Sequence, residues 1–390
     1  FDSGTLLPPT GKPTALNVPY VEEIKKAVSI PVGCPGRIKD PCIADMLIAT
    51  GKLDFVYMGR AIMCDPELPN KAKEGRDEDI RPCIGCLTCF GQSLIGNSIR
   101  CAMNPAVGQV VLNDYGPAEV KKKVLVIGGG PGGLEAAGIL AKRGHDVTLV
   151  EADDNLGGQF ILASYPPAKQ EFASGVKFFI NELKKTNAKV ITGHAVTAEE
   201  IKEMNPDFVV LATGGKPVLP KWLSCCGHKN VMTAWEALRS EKPIGNNIVI
   251  IGGGSVGCET ADYLADAHDF RTLGGRKVTV VEMLDNIVTE DLTPARDALV
   301  TRLKHKGVNI LTNTKVTDIT EENIVCDCVG EPLSLEGVDT IISAVGTASY
   351  NPLAEELDKM GIPYKVIGDA KKVGKIFEAV ADGRRVAIEV

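Results

Sequence analysis

With 390 residues the chain is too long for one ordinary domain, and two to three are expected. Apolar residues make up 44% and charged residues 24%, the balance of a soluble globular protein rather than a disordered or fibrous one. The formal charge of −7 is spread along the chain, which argues against a nucleic acid partner. No apolar run approaches the roughly 18 to 20 residues that a membrane-spanning helix needs, so no membrane is expected either. Nor does the N-terminus show the basic, apolar and small-residue order of a secretory signal. In a large chain of that kind, twelve cysteines point to metal or redox work rather than to a disulfide framework, and a reducing cytoplasm is the expected setting. Phe1 is not an initiator methionine and nothing start-like precedes Asp2-Ser3-Gly4, so the chain reads as a piece whose beginning is missing.

Residues 1–78 alternate short apolar strands with helices. Pro31 to Gly33 and Leu53 to Met58 are strand-like, while Pro41 to Thr50 and Pro66 to Glu74 are helical. That is the pattern of a parallel sheet or barrel. Residues 79–118 form a connector that holds Cys83, Cys86, Cys89 and Cys101. Three thiols within seven residues and a fourth close by can surround one compact inorganic centre, and Gly85 and Gly91 let the backbone fold tightly around it. The run resembles the Cys-x2-Cys-x2-Cys spacing of ferredoxin cluster sites. Structural zinc is the alternative, though zinc more often takes two separated Cys-x2-Cys pairs. The other eight cysteines, the adjacent Cys225 and Cys226 among them, read as scattered core or surface residues.

An internal repeat dominates the rest. Lys123 to Ala137 reads as a strand, a glycine loop and a helix start, and Asn247 to Ala261 repeats it. Each copy leads to a second apolar strand that ends in an acid, Glu151 in the first and Glu282 in the second. Two βαβ units follow from this. In the first loop Gly128, Gly130 and Gly133 fit G-x-G-x-x-G. The first glycine makes the turn, the second lets a pyrophosphate reach the backbone, and the third lets helix pack on strand. The anion then lies at a helix N-terminus, where free N–H groups and the dipole favour it. Gly252, Gly254 and Gly257 repeat the set. A carboxylate at Glu282 accepts from a 2′-hydroxyl and repels a 2′-phosphate, which favours NADH. Arg276 and Lys277, just ahead of that strand, keep NADPH open.

Two dinucleotide units in one chain resemble the flavoprotein disulfide-reductase family over residues 119 to 390. The resemblance implies FAD at the first loop and the nicotinamide at the second, giving an FAD domain over 119–244, a nicotinamide domain over 245–337 and an FAD return segment over 338–390. Leu156-Gly-Gly158-Gln159 resembles the stretch after the FAD ribose acid. Ala212-Thr213-Gly214 resembles the passage beneath the FAD, and Gly368-Asp369 the late motif whose acid meets the ribityl chain. No Cys-x4-Cys pair follows the first loop, so that family's redox disulfide is absent.

Residues 1 to 78 resemble the last strands of an Old Yellow Enzyme-type β/α barrel. That resemblance implies FMN, with Gly36, Arg37, Gly59 and Arg60 at its phosphate; two ordinary strand-end arginines are the alternative. The fold class expected is therefore α/β: a remnant of a β/α (TIM) barrel, an iron–sulfur connector and a Rossmann-like FAD and NAD module. Barrel, cysteine segment and paired dinucleotide units in that order resemble the family of 2-enoate reductase, 2,4-dienoyl-CoA reductase and trimethylamine dehydrogenase. The Cys101-Ala-Met-Asn-Pro105 run matches it as well. The resemblance implies FMN, FAD, a 4Fe-4S cluster and NADH, with electrons passing from NADH through FAD and cluster to FMN, which reduces an activated C=C bond of a small-molecule substrate. An amine-type dehydrogenase and a non-catalytic electron-transfer or diaphorase subunit are the competing readings. The two-residue spacer between Cys86 and Cys89 leans toward the enoate reductases, since dienoyl-CoA relatives often have three. The catalytic acid is unknown, being expected on the missing part of the barrel, and oligomeric state is left open, a homo-oligomer included.

Overall fold

The computed structural model describes residues 7–265 and 275–390; the segment Phe1 to Gly4 lies outside them. Two compact units result, one from residues 7–161, 170–215 and 349–390, the other from residues 162–169 and 216–348.

The first unit carries a five-stranded parallel sheet. Its strands run in the order Tyr364–Val366, Phe208–Leu211, Lys123–Ile127, Asp146–Val150, Lys189–Ile191. The central strand, Lys123 to Ile127, is a near-continuous run of Val, Leu and Ile because a parallel sheet is covered on both faces. One face packs Leu125, Ile127, Val150, Val209 and Leu211 against Ile201 and Leu357. Helices Pro131–Lys142 and Ile376–Glu389 also pack on each other. A Cβ at Gly383 would strike the Gly132 carbonyl, so both glycines are needed for that close approach.

The N-terminal segment lies in the same unit. Strands Gly33–Cys34 and Phe55–Val56 pair in parallel, with helices Val18–Ala27, Pro41–Ala49, Gly59–Cys64 and Leu68–Lys73 around them. Val18, Cys34, Ile38, Ala44, Leu47 and Leu53 form its small core. The two helices expected from the apolar pattern are present and the second strand is trimmed to Phe55–Val56, while the first lies at Gly33–Cys34 and overlaps the expected Pro31 to Gly33 by one residue.

The second unit repeats the architecture. Its parallel sheet orders Asn309–Leu311, Lys277–Val281, Asn247–Ile251, Thr340–Ser343, Val231–Thr233. A three-stranded antiparallel meander, Thr314–Ile319, Ile324–Cys328 and Glu331–Leu335, covers one face. Here the structure departs from the expected boundaries. The nicotinamide unit begins near residue 216 rather than 245 and ends near 348 rather than 337. Val231–Thr233 and Thr340–Ser343 are ladder strands of its sheet, and hydrogen-bonded strands move as one body. The connector at 79–118 likewise belongs to the first unit instead of standing apart.

Candidate functional site

In the first unit the glycine loop follows strand Lys123–Ile127 directly. Gly128 sits at φ 109°, a left-handed backbone that a side chain resists, and Gly130 caps helix Pro131–Lys142. A Cβ at Gly133 would land on the Gly128 carbonyl, so helix and strand meet there without room for a methyl group. Glu151 is fixed by two backbone donors: Gly129 N–H at 2.5 Å and Asp153 N–H at 2.8 Å. The remaining expected residues gather around the same loop. The Gly157 N–H donates to the Gly129 carbonyl at 2.8 Å, and a Cβ at Gly158 (φ 50°) would lie 3.3 Å from the Gly130 Cα. Gln159 Nε2 donates to Asp369 Oδ2 at 3.1 Å, while Gly374 N–H donates to Oδ1 at 3.0 Å. Burial pushes the Asp369 carboxyl up from its ordinary value. The Ala212 carbonyl faces Gly128, a Cβ at Gly214 (φ 73°) would lie 3.6 Å from Gln159 Nε2, and Thr213 Oγ1 donates to the Tyr350 carbonyl at 2.5 Å. Gly368 N–H donates to Asp382 Oδ2 at 3.3 Å. Segments spread over 240 residues of sequence thus converge on one helix N-terminus.

The second unit reproduces this cradle. Gly252 has φ 111°, and a Cβ at Gly257 would land on the Gly252 carbonyl. Gly254 caps helix Ser255–Leu264. Glu282 accepts from Gly253 N–H at 2.6 Å and from Leu284 N–H at 2.8 Å, the same bracing as Glu151. Two details differ. Val288, at φ 51°, takes the place of Gly157 by donating its N–H to the Gly253 carbonyl at 2.8 Å. Glu290 Oε1 accepts from Ser255 N–H at 2.6 Å, at the start of the helix.

The connector folds its cysteines together. Gly85 (φ 66°) and Leu87 (φ 57°) flank Cys86 with two left-handed residues, which bend the chain sharply before the short helix Thr88–Leu94. Thr10 N–H pins the Gly85 carbonyl at 3.0 Å. Burial pushes the Cys86 thiol up to about 12, with Cys101 adding to it, and burial raises Cys83 and Cys89 as well. Cys101 is drawn down to about 6, first by a hydrogen bond with Cys64 and then by the Met103 and Asn104 backbone N–H groups against burial. These four sulfurs feel one another's charge, and Lys39, Arg60 and Arg81 supply positive charge nearby. Among the described residues no trio of His, Cys, Asp or Glu is drawn in tightly enough for a single metal ion. Cys83, Cys86, Cys89 and Cys101 are each partly exposed along one bent connector, and a set of four thiols is what an iron–sulfur cluster takes as ligands.

At the N-terminal segment the structure places the expected phosphate residues unevenly. Gly36 (φ 127°) and Gly59, at the start of helix Gly59–Cys64, lie after their strands as expected. Arg60 Nη1 donates to the Pro8 carbonyl at 3.0 Å. The Arg37 guanidinium is buried and turned elsewhere: it donates to the Pro9 carbonyl and pairs with Glu171, which Lys39 also meets at 3.0 Å. Sequence reasoning missed Glu171 and Lys39, whose Nζ donates to the Cys83 carbonyl at 2.9 Å. No local spacing rule links either of them to the cysteine run.

Two cradles of this construction define a two-dinucleotide flavoprotein. Residues 122–370 match the family described as pyridine nucleotide-disulphide oxidoreductase, and the chain belongs to that family. Residues 12–79 match the NADH:flavin oxidoreductase / NADH oxidase family. An NADH oxidase of Thermoanaerobacter brockii is 39% identical over 396 residues, covering 99% of this chain and 59% of the relative. A cinnamate reductase of Clostridium sporogenes is 36% identical over 387 residues, covering 97% and 56%. Among solved structures, a 2-naphthoyl-CoA reductase complex superimposes with a TM-score of 0.90 at 30% identity, covering 97% of this chain and 57% of the other. The chain thus spans less than two thirds of the length of these relatives. Its place beside the enoate reductases, with flavin, iron–sulfur and NAD cofactors, agrees with the sequence resemblance. All twelve cysteines are free, so no redox disulfide stands beside the first loop.

Proposed function

We propose that this chain is the electron-input part of an NADH-dependent flavin oxidoreductase acting on an activated C=C bond, of enoate or enoyl-CoA type. The observation that carries the reading is that a complete glycine cradle with its braced acid occurs twice, and that the four thiols of the connector lie in the same unit as the first. When bound, FAD accepts hydride, an iron–sulfur cluster carries single electrons, and FMN delivers hydride. The residues bind and orient those groups. Gly130 and Gly254 open helix N-termini to pyrophosphate, Glu151 and Glu282 take ribose hydroxyls, Asp369 takes the ribityl chain, and Cys83, Cys86, Cys89 and Cys101 hold the iron. The intact second cradle speaks against an amine dehydrogenase in which the nicotinamide site is vestigial. A diaphorase role would need the same residues and differs only in where the electrons end.

The test is anaerobic addition of NADH to the cofactor-loaded protein. Flavin bleaching together with a cluster EPR signal is the expected result; flavin bleaching with no cluster signal in protein that holds its iron would sink the relay. Glu282 also sets an expectation for coenzyme choice. Glu282→Ala removes both the hydroxyl acceptor and the repulsion of a 2′-phosphate, so the preference for NADH over NADPH should fall about tenfold, the worth of one charged hydrogen bond. Binding isotherms for the two coenzymes check it.

A further inference from the structure

Cys83, Cys86 and Cys89 fall around one backbone bend, whereas Cys101 follows only after eleven further residues. Helix Thr88–Leu94 leads the chain away from that bend, and residues 97–100 belong to no helix or strand. Bringing such a stretch back to its starting point costs conformational entropy, so something must hold its two ends.

Arg81 holds both. Its backbone N–H donates to Asp65 Oδ2 at 2.7 Å, which fixes the chain two residues ahead of Cys83. Its side chain reaches the far end: Nη1 donates to the Met103 carbonyl at 2.7 Å, two residues beyond Cys101. The guanidinium lies over the Phe178 ring, 5.1 Å from its centre, on helix Phe172–Lys184. Met103 is 1% exposed and rests against the same helix, where a Cβ at Gly175 would come within 2.9 Å of its Sδ. Asn104 Nδ2 adds a bond to the Cys64 carbonyl at 3.0 Å. An arginine kept only for solubility would turn its head to water. This one lays its head on an aromatic ring and gives a charged donor to an ordinary peptide carbonyl. It thereby joins the residues just before the first thiol to those just after the last.

We propose that Arg81 is a positioning residue for the iron–sulfur cluster, a clasp that binds no iron and sets Cys101 against the bend bearing Cys83, Cys86 and Cys89. The inference rests on the cluster reading above and gives Arg81 a task beyond supplying charge. Without the clasp three thiols keep their places and the fourth does not, so one iron of a four-iron cluster loses its ligand. Lysine can still donate to the carbonyl but lacks the planar fork that lies flat on a ring, so it replaces arginine in part.

The test loads this chain anaerobically with iron and sulfide, unaltered and as Arg81→Ala and Arg81→Lys. Iron per chain, far-UV circular dichroism and the EPR spectrum after mild oxidation are read for each. The unaltered chain should take up about four irons. Arg81→Ala should hold about three, with the signal of an oxidised three-iron cluster and an unchanged dichroism spectrum. Arg81→Lys should recover much of the missing iron and lose most of that signal. Full iron and the unaltered EPR spectrum in Arg81→Ala overturn the proposal, because Cys101 then finds its place without the clasp. So does a collapse of the helical signal in Arg81→Ala, which would make Arg81 a residue of the fold at large. Failure of the cluster reading itself looks different: the unaltered chain would then take up no iron, and the inference falls with it.

Discussion

Cys86→Ala is expected to take the anaerobically loaded protein from about four irons per chain to nearly none. Cys86 sits between two left-handed residues, Gly85 and Leu87, so its Sγ is delivered to the pocket by a backbone bend that no neighbour can imitate. The thiol of Cys64, nearby, is turned to the Pro82 carbonyl at 3.4 Å and not to Cys86. Burial pushes the Cys86 thiol up to about 12, so it is protonated at neutral pH and loading with iron should release acid. The fold should survive the change, because Thr10 and Lys39 anchor this bend through the Gly85 and Cys83 carbonyls. Iron and sulfide analysis beside far-UV circular dichroism checks both halves. A variant that keeps its full iron would remove Cys86 from the ligand set.

Arg384→Ala should cost about 3–5 kcal/mol of stability, the usual penalty for stripping one partner from a buried ion pair. Arg384 lies on the last helix and is 2% exposed. Its guanidinium bonds Glu135 Oε1 at 2.5 and 2.6 Å and the Leu112 carbonyl at 2.9 Å, and it stacks 5.1 Å from the Tyr115 ring centre. Glu135, itself 5% exposed, has no water to turn to once the arginine is gone. Its helix is the one whose N-terminus cradles the first dinucleotide, so the loss should loosen FAD as well. Urea unfolding should show a lower midpoint. Replacing both partners, as Glu135→Leu with Arg384→Met, should restore most of it, because the cost belongs to the orphaned charge rather than to the lost pair. If Arg384→Ala unfolds at the unaltered midpoint, the pair contributes nothing.

The two cradles were legible in the sequence because their geometry is local: strand, three glycines, helix and acid lie within some thirty residues, and each spacing has a steric reason. The cysteine run was legible on the same ground. Arg37 was not. The motif places it after a strand, but its partner Glu171 lies 134 residues away, and no local pattern reports a long-range ion pair. Strands Val231–Thr233 and Thr340–Ser343 were not legible because they are short and flank the repeat, while their ladder partners are known only once the sheet is assembled.

The bond between Glu290 and the Ser255 N–H gives the second cradle a property that the first lacks. The first helix turn opens with Pro131, which has no N–H to offer, whereas the second presents a donor already satisfied by a carboxylate from the chain itself. A diphosphate arriving there finds its berth taken. Docking is then a trade of one negative group for another, with the local charge almost conserved, and the coenzyme's grip is measured against a resident competitor instead of against water.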